Sequence, residues 1–331
     1  MENPRYQEIL GLLVTDYIAT SEAVGSNQLA QKTKCRLSSA TIRNVMSDLE
    51  EMGYLSQPHT SAGRIPTEKG IRYYVDTLVE QRPLSEGEKQ AIQNHYLSPK
   101  KDIRSMLQQT GTALATISQY IGLVLTPNLE KTIFKHIEFL PLSHARLLGI
   151  FVSQSGVVEN RILEVHEDLN HRELEKINNY CNASFVGLTL EESREKVSSE
   201  LLQVHHEYDR LLSKAMLFSQ ELLNGISKTD LVVEADYSSM EDIHKMMKSL
   251  GEKQQLLKVL DSCLESSGVR IFIGTESRCD AVKSLSLVTA PYTQSGNILG
   301  TLGVIGPVHM DYKKVIPMVD FTAKLVSSFL D

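Results

Sequence analysis

Residues 37–70 read LSSATIRNVMSDLEEMGYLSQPHTSAGRIPTEKG, and this stretch constrains the fold more than any other part of the chain. Ile42, Val45, Leu49 and Met52 recur at helical spacing and form one apolar stripe, which must be buried against neighbouring elements. Ser38 or Ser39 starts that helix, because a serine oxygen there accepts the free backbone N–H groups of the first turn. Gly53 ends it by taking the left-handed conformation that a helix exit often requires. Tyr54 and Leu55 then begin a strand, QPHTSAGR turns the chain, and Ile65 leads into a proline-started helix from about Pro66. Upstream, Ile9, Leu10, Leu13, Tyr17 and Ile18 predict an amphipathic helix over 5–20, and Ser26 predicts the cap of a short helix, SNQLAQKTK. Three helices and a hairpin make a winged helix-turn-helix.

The solvent side of the third helix is unusual. A rotation of 100° per residue places Ala40, Arg43, Asn44, Ser47 and Glu51 opposite the stripe. A face that is short near its N-terminus and carries hydrogen-bonding groups suits the major groove. Arg43 has the fork for a guanine, Asn44 the amide for an adenine, and Ser39 and Thr41 the hydroxyls for phosphates or bases. The loop Gln57–Arg64 contains no bulky apolar residue, so burial does not explain it. Arg64 suits a narrow minor groove or a phosphate, with Lys32 and Arg36 flanking as counter-charges.

The formal net charge of −7 gives no overall field toward nucleic acid or an anionic membrane, so any DNA contact must be local. Between Lys32 and Arg72 the chain is net positive: Lys32, Lys34, Arg36, Arg43, Arg64, Lys69 and Arg72 stand against Asp48, Glu50, Glu51 and Glu68. The competing readings are an ordinary solvated surface and a winged helix used for protein docking.

At 331 residues the chain suits two or three domains. Helical pattern from Thr67 to about Val79 gives way to QRPLSEGEK, a cluster that marks a boundary. IRSMLQQTGTALATISQYIGLVL predicts a helix. TIFKHIEFLPL, ARLLGIFVSQSG and VVENRILEVHEDL predict strands, with Ser155-Gly156 as a hairpin turn. Charged helical segments follow from His171. Strands resume at VRIFIGTES, SLSLVTAPY and ILGTLGVIGPV, and a helix closes the chain. Strands, then helices, then strands indicate an α+β domain interrupted by an insertion.

The cysteines Cys35, Cys181, Cys263 and Cys279 form no paired motif, and no segment reads as a leader or membrane span, so a cytoplasmic protein with reduced thiols is expected. Enzyme chemistry finds no support. Adjacent His205 and His206 point to different sides of a helix and do not share a metal easily. Gly300, Gly303 and Gly306 lack the context of a phosphate loop and fit close backbone packing in a strand. Neither a metal nor a cofactor is expected. In LLQVHHEYDRLLSKAMLFSQELL, the stripe Leu202, Leu211, Leu212, Met216 and Leu222 either lies beneath a solvated face or packs against a partner helix.

The run SSATIRNVMSDLEEMGYLSQPHTSAGRIPTEKGIRYYVD resembles the heat-inducible transcription repressor HrcA family, and the rest of the chain fits that family in length, order and its LGVIGP strand. The resemblance implies an α+β multidomain chain. Its parts are a winged helix over 1–80, a linker over 81–104, a GAF-like α+β domain over 105–170 and 250–331, and an inserted, mainly helical dimerisation domain over 171–249. It implies repression of chaperone operons by a homodimer on the inverted-repeat operator CIRCE, promoted by the chaperonin GroEL. It puts DNA contact on Ser39, Thr41, Arg43 and Asn44 in the helix and on the wing from His59 through Thr60 and Ser61 to Arg64; Ser47, Lys32 and Arg36 join them from the residue pattern. The alternative is a winged-helix repressor controlled by a small molecule in the GAF-like domain.

Overall fold

The computed structural model describes residues 3–33, 37–59, 62–79, 82–96, 103–127, 132–143, 146–154, 157–165, 169–203, 210–225, 231–235, 259–260, 268–277, 283–294 and 296–331. The chain divides into two compact units: Met1–Leu125, Leu231–Thr293 and Gly300–Asp331 form one, Thr126–Asp230 and Gln294–Leu299 the other. Helices and antiparallel sheet occur in both, so the protein is of mixed α+β class.

Residues 3–79, the head of the first unit, begin with α1 (Pro4–Thr20), capped by the Asn3 side chain and burying Ile9, Leu10, Leu13 and Val14. The short α2 (Ser26–Ala30) is preceded by Gly25 without a side-chain cap, so Ser26 lies one position inside its expected place. In α3 (Ser39–Glu51) the cap is Ser38, whose Oγ accepts the Thr41 N–H at 3.1 Å. Ile42, Val45, Met46 and Leu49 are buried, whereas Met52 is 46% exposed. Met52 stands past the helix end, where Gly53 at φ +78° swings the chain away, and Met46 completes the stripe.

β1 (Leu55–Ser56) and β2 (Ile65–Pro66) form a short antiparallel hairpin. Pro66 therefore ends a strand and does not start a helix. Thr67, which has both an N–H and a hydroxyl, caps α4 (Glu68–Tyr73) by accepting the Gly70 N–H at 3.1 Å. A π-helical turn, Tyr74–Leu78, extends α4. The hairpin base is tied back by Val24 and Arg64, which exchange two backbone hydrogen bonds of 2.9 Å. Gly63 makes this possible, since a Cβ there would stand 2.3 Å from the Val24 carbonyl oxygen.

Next comes α5 (Glu86–Asn94), inside the stretch expected to be linker. Its start is a capping box in which Ser85 and Glu88 satisfy each other's backbone N–H groups. The Ser85 hydroxyl and N–H, helped by Arg82, hold the Glu88 carboxyl down to about 2. α6 (Ile103–Ser118) stops where Gln119 turns to φ +61°, and IGLVL, expected as helix, is instead β3 (Ile121–Leu125), buried along its length. Its β-branched Ile121 and Val124 fit a fully buried strand, which periodicity alone does not distinguish from a buried helix.

The second unit contains β4 (Phe134–Ser143), β5 (Arg146–Ser153), β6 (Val158–Glu164), α7 (His171–Phe185), α8 (Leu190–Gln203) and α9 (Arg210–Gly225). The strands form one antiparallel sheet in that order. Phe134, Ile137, Phe139, Leu147, Phe151 and Leu163 are buried on the side that faces α7 and α9. Asn178 and Asn182 of α7 reach the free edge of β4, accepting the Phe139 N–H at 2.8 Å and the Ile137 N–H at 3.0 Å and donating back to both carbonyls. The helix thus covers a strand edge that would otherwise hold unpaired backbone groups. This is why strands and helices of 126–230 group together, with the division falling elsewhere than at 170/171. The expected far boundary, 249/250, and the Ser155-Gly156 turn lie outside the described residues. Met216 and Leu222 of the α9 stripe are buried inside this unit, and Leu211 and Leu212 are half-buried. The Leu202 side chain and His205-His206 lie outside the described residues.

The chain then returns to the first unit with β7 (Leu231–Ala235), β8 (Arg270–Ile273), a 3₁₀ turn (Gly274–Ser277), β9 (Leu285–Gln294), β10 (Asn297–Pro307) and α10 (Tyr312–Leu330). The five strands are ordered β7-β3-β10-β9-β8, and α6 packs on β3, β7 and α10. Close approach explains the glycines of β10: a Cβ on Gly300 would stand 2.3 Å from the Tyr292 hydroxyl, and on Gly303 2.4 Å from the Val288 carbonyl. The buried Tyr292 hydroxyl donates to the Leu125 carbonyl at 2.8 Å. Among the described residues, no helix is long and apolar enough to cross a membrane, and no group of His, Cys, Asp or Glu could hold a metal ion. Cys181 is buried in the second unit beside the Ser219 hydroxyl, and burial pushes its thiol up to about 11.

Two glycine substitutions test the packing. Gly122→Ala would put a Cβ 2.2 Å from the Gly111 carbonyl and should cost about 1–3 kcal/mol. Gly87→Ala in the first turn of α5 has nothing within 4 Å and should be neutral or stabilising by up to ~1 kcal/mol. Urea midpoints should fall for the first and hold or rise for the second; the reverse order would refute the close α6–β3 contact.

Candidate nucleic-acid interface

The head presents α3 with its apolar stripe inward and its polar side outward. Ala40, Arg43 and Asn44 are exposed and Ser47 is half-exposed. Neither the Arg43 guanidinium nor the Asn44 amide has a hydrogen bond or ion pair among the described residues. No acidic side chain occurs from Leu37 to Ser47, so the positive end of the helix dipole and Arg43 act together there. The acidic residues of α3 lie in its C-terminal half, where the Tyr6 hydroxyl donates to Asp48 at 2.6 Å. That hydrogen bond and the adjacent carboxylate charge raise the Tyr6 pKa.

Other expected contacts have internal partners. The Ser39 hydroxyl donates to Asn27 Oδ1 at 2.5 Å and lies 3.3 Å from Ser26 Oγ, joining the starts of α2 and α3. Thr41 Oγ1 is 2.9 Å from Ser38 Oγ. Lys32 Nζ lies 2.7 Å from Asp16 Oδ1, compensating a carboxylate that is buried in α1. Gln28 donates to the other Asp16 oxygen at 3.3 Å.

Arg64 differs most from expectation. Its side chain is only 18% exposed, and Nε lies 2.8 Å from Glu50 Oε2, an ion pair whose N–H is not aligned as a hydrogen bond. Backbone pairing with Val24 and this contact with α3 hold the hairpin against the helix. His59 is exposed at the hairpin tip, its carbonyl accepting the Ala62 N–H at 2.9 Å. The Gln57 amide donates to the Ala62 carbonyl at 3.0 Å. Arg36, Thr60 and Ser61 lie outside the described residues. The sequence reading passed over Asn27, exposed in α2 and bonded to the first residue of α3, and Glu50, the partner of Arg64. Both depend on the crossing of separate elements, for which helical periodicity carries no signal.

The arrangement therefore offers one exposed polar helix face, an exposed hairpin tip and a positively polarised helix start. Known proteins agree with a regulatory role. A family model described as the HrcA protein C terminal domain matches residues 104–316. The heat-inducible transcription repressor HrcA of Geobacter sulfurreducens is 41% identical, with 99% of this chain and 98% of that protein covered. The proteins of the same name from Methylobacillus flagellatus and Syntrophobacter fumaroxidans are 38% and 36% identical, covering 100% and 99% of this chain and 99% and 97% of theirs. A solved structure described as a hypothetical protein aligns with a TM-score of 0.69 over 99% of this chain and 98% of its own, and at 21% identity it shows the fold alone. Matched along almost its whole length by these relatives and over 104–316 by the family model, the chain belongs to the HrcA family of heat-inducible transcription repressors.

Proposed function

We propose that this protein is a cytoplasmic homodimer that represses heat-shock operons by binding the inverted-repeat operator CIRCE, with the chaperonin GroEL promoting its active form. Exposed Arg43 and Asn44 on the outer face of α3 carry the DNA-reading part of this proposal. In this reading α1–α3 and the β1–β2 hairpin are a winged helix, and α3 enters the major groove with Ser47 and the helix start near the backbone. The hairpin tip at His59 lies against the adjacent backbone, with Thr60 and Ser61 next in sequence. Arg64, Lys32 and Ser39 contribute mainly by holding that surface in shape, given their internal partners. Arg36 flanks the recognition helix in sequence.

The five-stranded sheet with α6 and α10 is the GAF-like domain, and the second unit is the inserted dimerisation domain. The dimer reading is supported by the open side of the β4–β6 sheet. Leu148 pairs across to Leu140 and Ile162, and Val152 pairs with Val158. Of these, Leu140, Val158 and Ile162 are 38%, 55% and 52% exposed. A second copy would cover this face. The chaperonin step rests on family resemblance: unfolded protein occupies the chaperonin during heat stress, the repressor loses its helper, and repression lapses.

Fluorescence anisotropy against a labelled operator and a scrambled duplex at near-physiological salt tests the proposal. A preference of about 10³-fold or more is expected; equal weak binding with and without chaperonin counts against operator reading. Arg43→Ala should cost roughly 1–3 kcal/mol of operator binding and relax base choice, with urea stability unchanged within about 0.5 kcal/mol. Arg64→Ala should instead cost about 1 kcal/mol of stability by leaving the half-exposed Glu50 unpaired. Ile162→Asp should shift sedimentation from dimer to monomer. A dimer of unchanged mass would move the interface elsewhere.

A further inference from the structure

Arg72, one of the cations that make residues 32–72 net positive, does not face outward as a plain surface charge. Its Nε donates to Glu276 Oε1 at 2.9 Å and its Nη2 to Glu276 Oε2, so the guanidinium and carboxylate meet fork to fork. Nη2 also donates to the Ile271 carbonyl at 2.7 Å, and Nη1 to Asp76 at 3.1 Å. One turn earlier on α4, Glu68 Oε2 accepts the Thr275 hydroxyl at 2.7 Å and the Thr275 N–H at 3.2 Å. Both contacts join the head to the 3₁₀ turn that follows β8, within the same compact unit. Gly274 in that turn has φ +56°, and a Cβ there would collide with the Glu68 carboxylate at 2.1 Å. A third contact sets the Tyr17 ring of α1 edge-on to His309, just after β10, with centroids 5.6 Å apart.

These contacts lie apart from the head's own core. That core of Ile9, Leu10, Leu13, Leu29, Ile42, Leu49 and Leu55 is already buried. Two parallel N–H···O bonds between planar groups fix orientation as well as distance, which a point charge does not. A dimer reading an inverted repeat needs its two recognition helices about one DNA turn, or a multiple, apart. A head turning on its chain connection would lower the effective concentration of the second head at its half-site.

We propose that Arg72 and Glu68, acting through Glu276 and Thr275, are positioning residues that hold the head at a fixed angle on the five-stranded domain and thereby set the half-site spacing the dimer accepts. This rests on the reading that two heads bind one inverted repeat. The carboxylate of Glu276 is further held by the Ile273 N–H at 2.9 Å, so the receiving side of the clamp is itself fixed.

The test uses the full chain with Arg72→Glu, Glu276→Arg and both together, measured by anisotropy on three duplexes: one half-site, the inverted repeat, and repeats with the spacer changed by about two to five base pairs. All variants should bind the half-site like wild type. The single variants should lose about tenfold on the native repeat and accept altered spacers more evenly, and the double reversal should regain most of both properties. Singles that keep wild-type spacing preference, singles that lose equally on half-site and repeat, or a double reversal without recovery would each overturn the clamp while leaving operator reading intact. A wild type that does not distinguish the repeat from scrambled DNA would remove the operator reading, and the clamp with it.

Discussion

The first unit depends on the pairing of Leu125 with Leu231. The chain leaves β3 at Leu125 and returns on β7 as its direct antiparallel partner, with the register running from Leu125↔Leu231 to Ile121↔Ala235. This is the register of a hairpin whose loop has been replaced by a folded unit. Loop closure rises only with the logarithm of length, about 0.6 kcal/mol for each doubling, and a unit with its own core offsets much of the ordering cost. The pairing is needed because β3 is buried along its length between β10 and β7. Without β7, the backbone groups on one side of a buried strand would have no partner.

That arrangement explains what was legible in the sequence. Elements decided by local chemistry read well: Ile42, Val45 and Leu49 of the α3 stripe, its Gly53 exit, the hairpin after it, and the β10 glycines, which close backbone approach requires. Elements decided by distant partners read poorly. IGLVL carries no internal mark of strand over helix, and only its neighbours β10 and β7 make it a strand. The division at 170 followed a change from strand-like to helical pattern, but Asn178 and Asn182 bind β4 to α7 across that change. A pair of asparagines four residues apart on a charged helix gives no sequence sign of an edge-capping role.

The candidate site was legible in the same measure. Exposure of Arg43 and Asn44 follows from helical rotation, and the structure has them on the outside. Charge counting did less well, because it assigns every cation to solvent. Among the described cations of residues 32–72, Lys32 faces Asp16 and Arg64 faces Glu50. Lys69 donates to the Met52 carbonyl at 2.8 Å over the Tyr54 ring, and Arg72 grips Glu276. Arg43 alone of that described set has no such partner. Among its described residues the window supplies cations that fasten α1, α3, the hairpin and α4, as well as Arg43, which has no such partner.

The proposed mode of DNA reading follows from this scarcity. One bidentate base contact discriminates by roughly 1–3 kcal/mol. Specific repressor binding in the usual range of about 10⁻⁸–10⁻¹¹ M corresponds to ~11–15 kcal/mol. In the proposed mechanism Arg43 and Asn44 set which sequence a head prefers, and the rest of the affinity comes from backbone contacts and from the second head. In an acidic protein, with no general field to add, the proposal joins two heads on one DNA, where the second binds as an intramolecular step. That gain exists only while both heads hold the right orientation. The fork between Arg72 and Glu276 therefore has the same physical standing in the proposed mechanism as the base-facing side chains: they discriminate sequence, and it lets two such discriminations act at once.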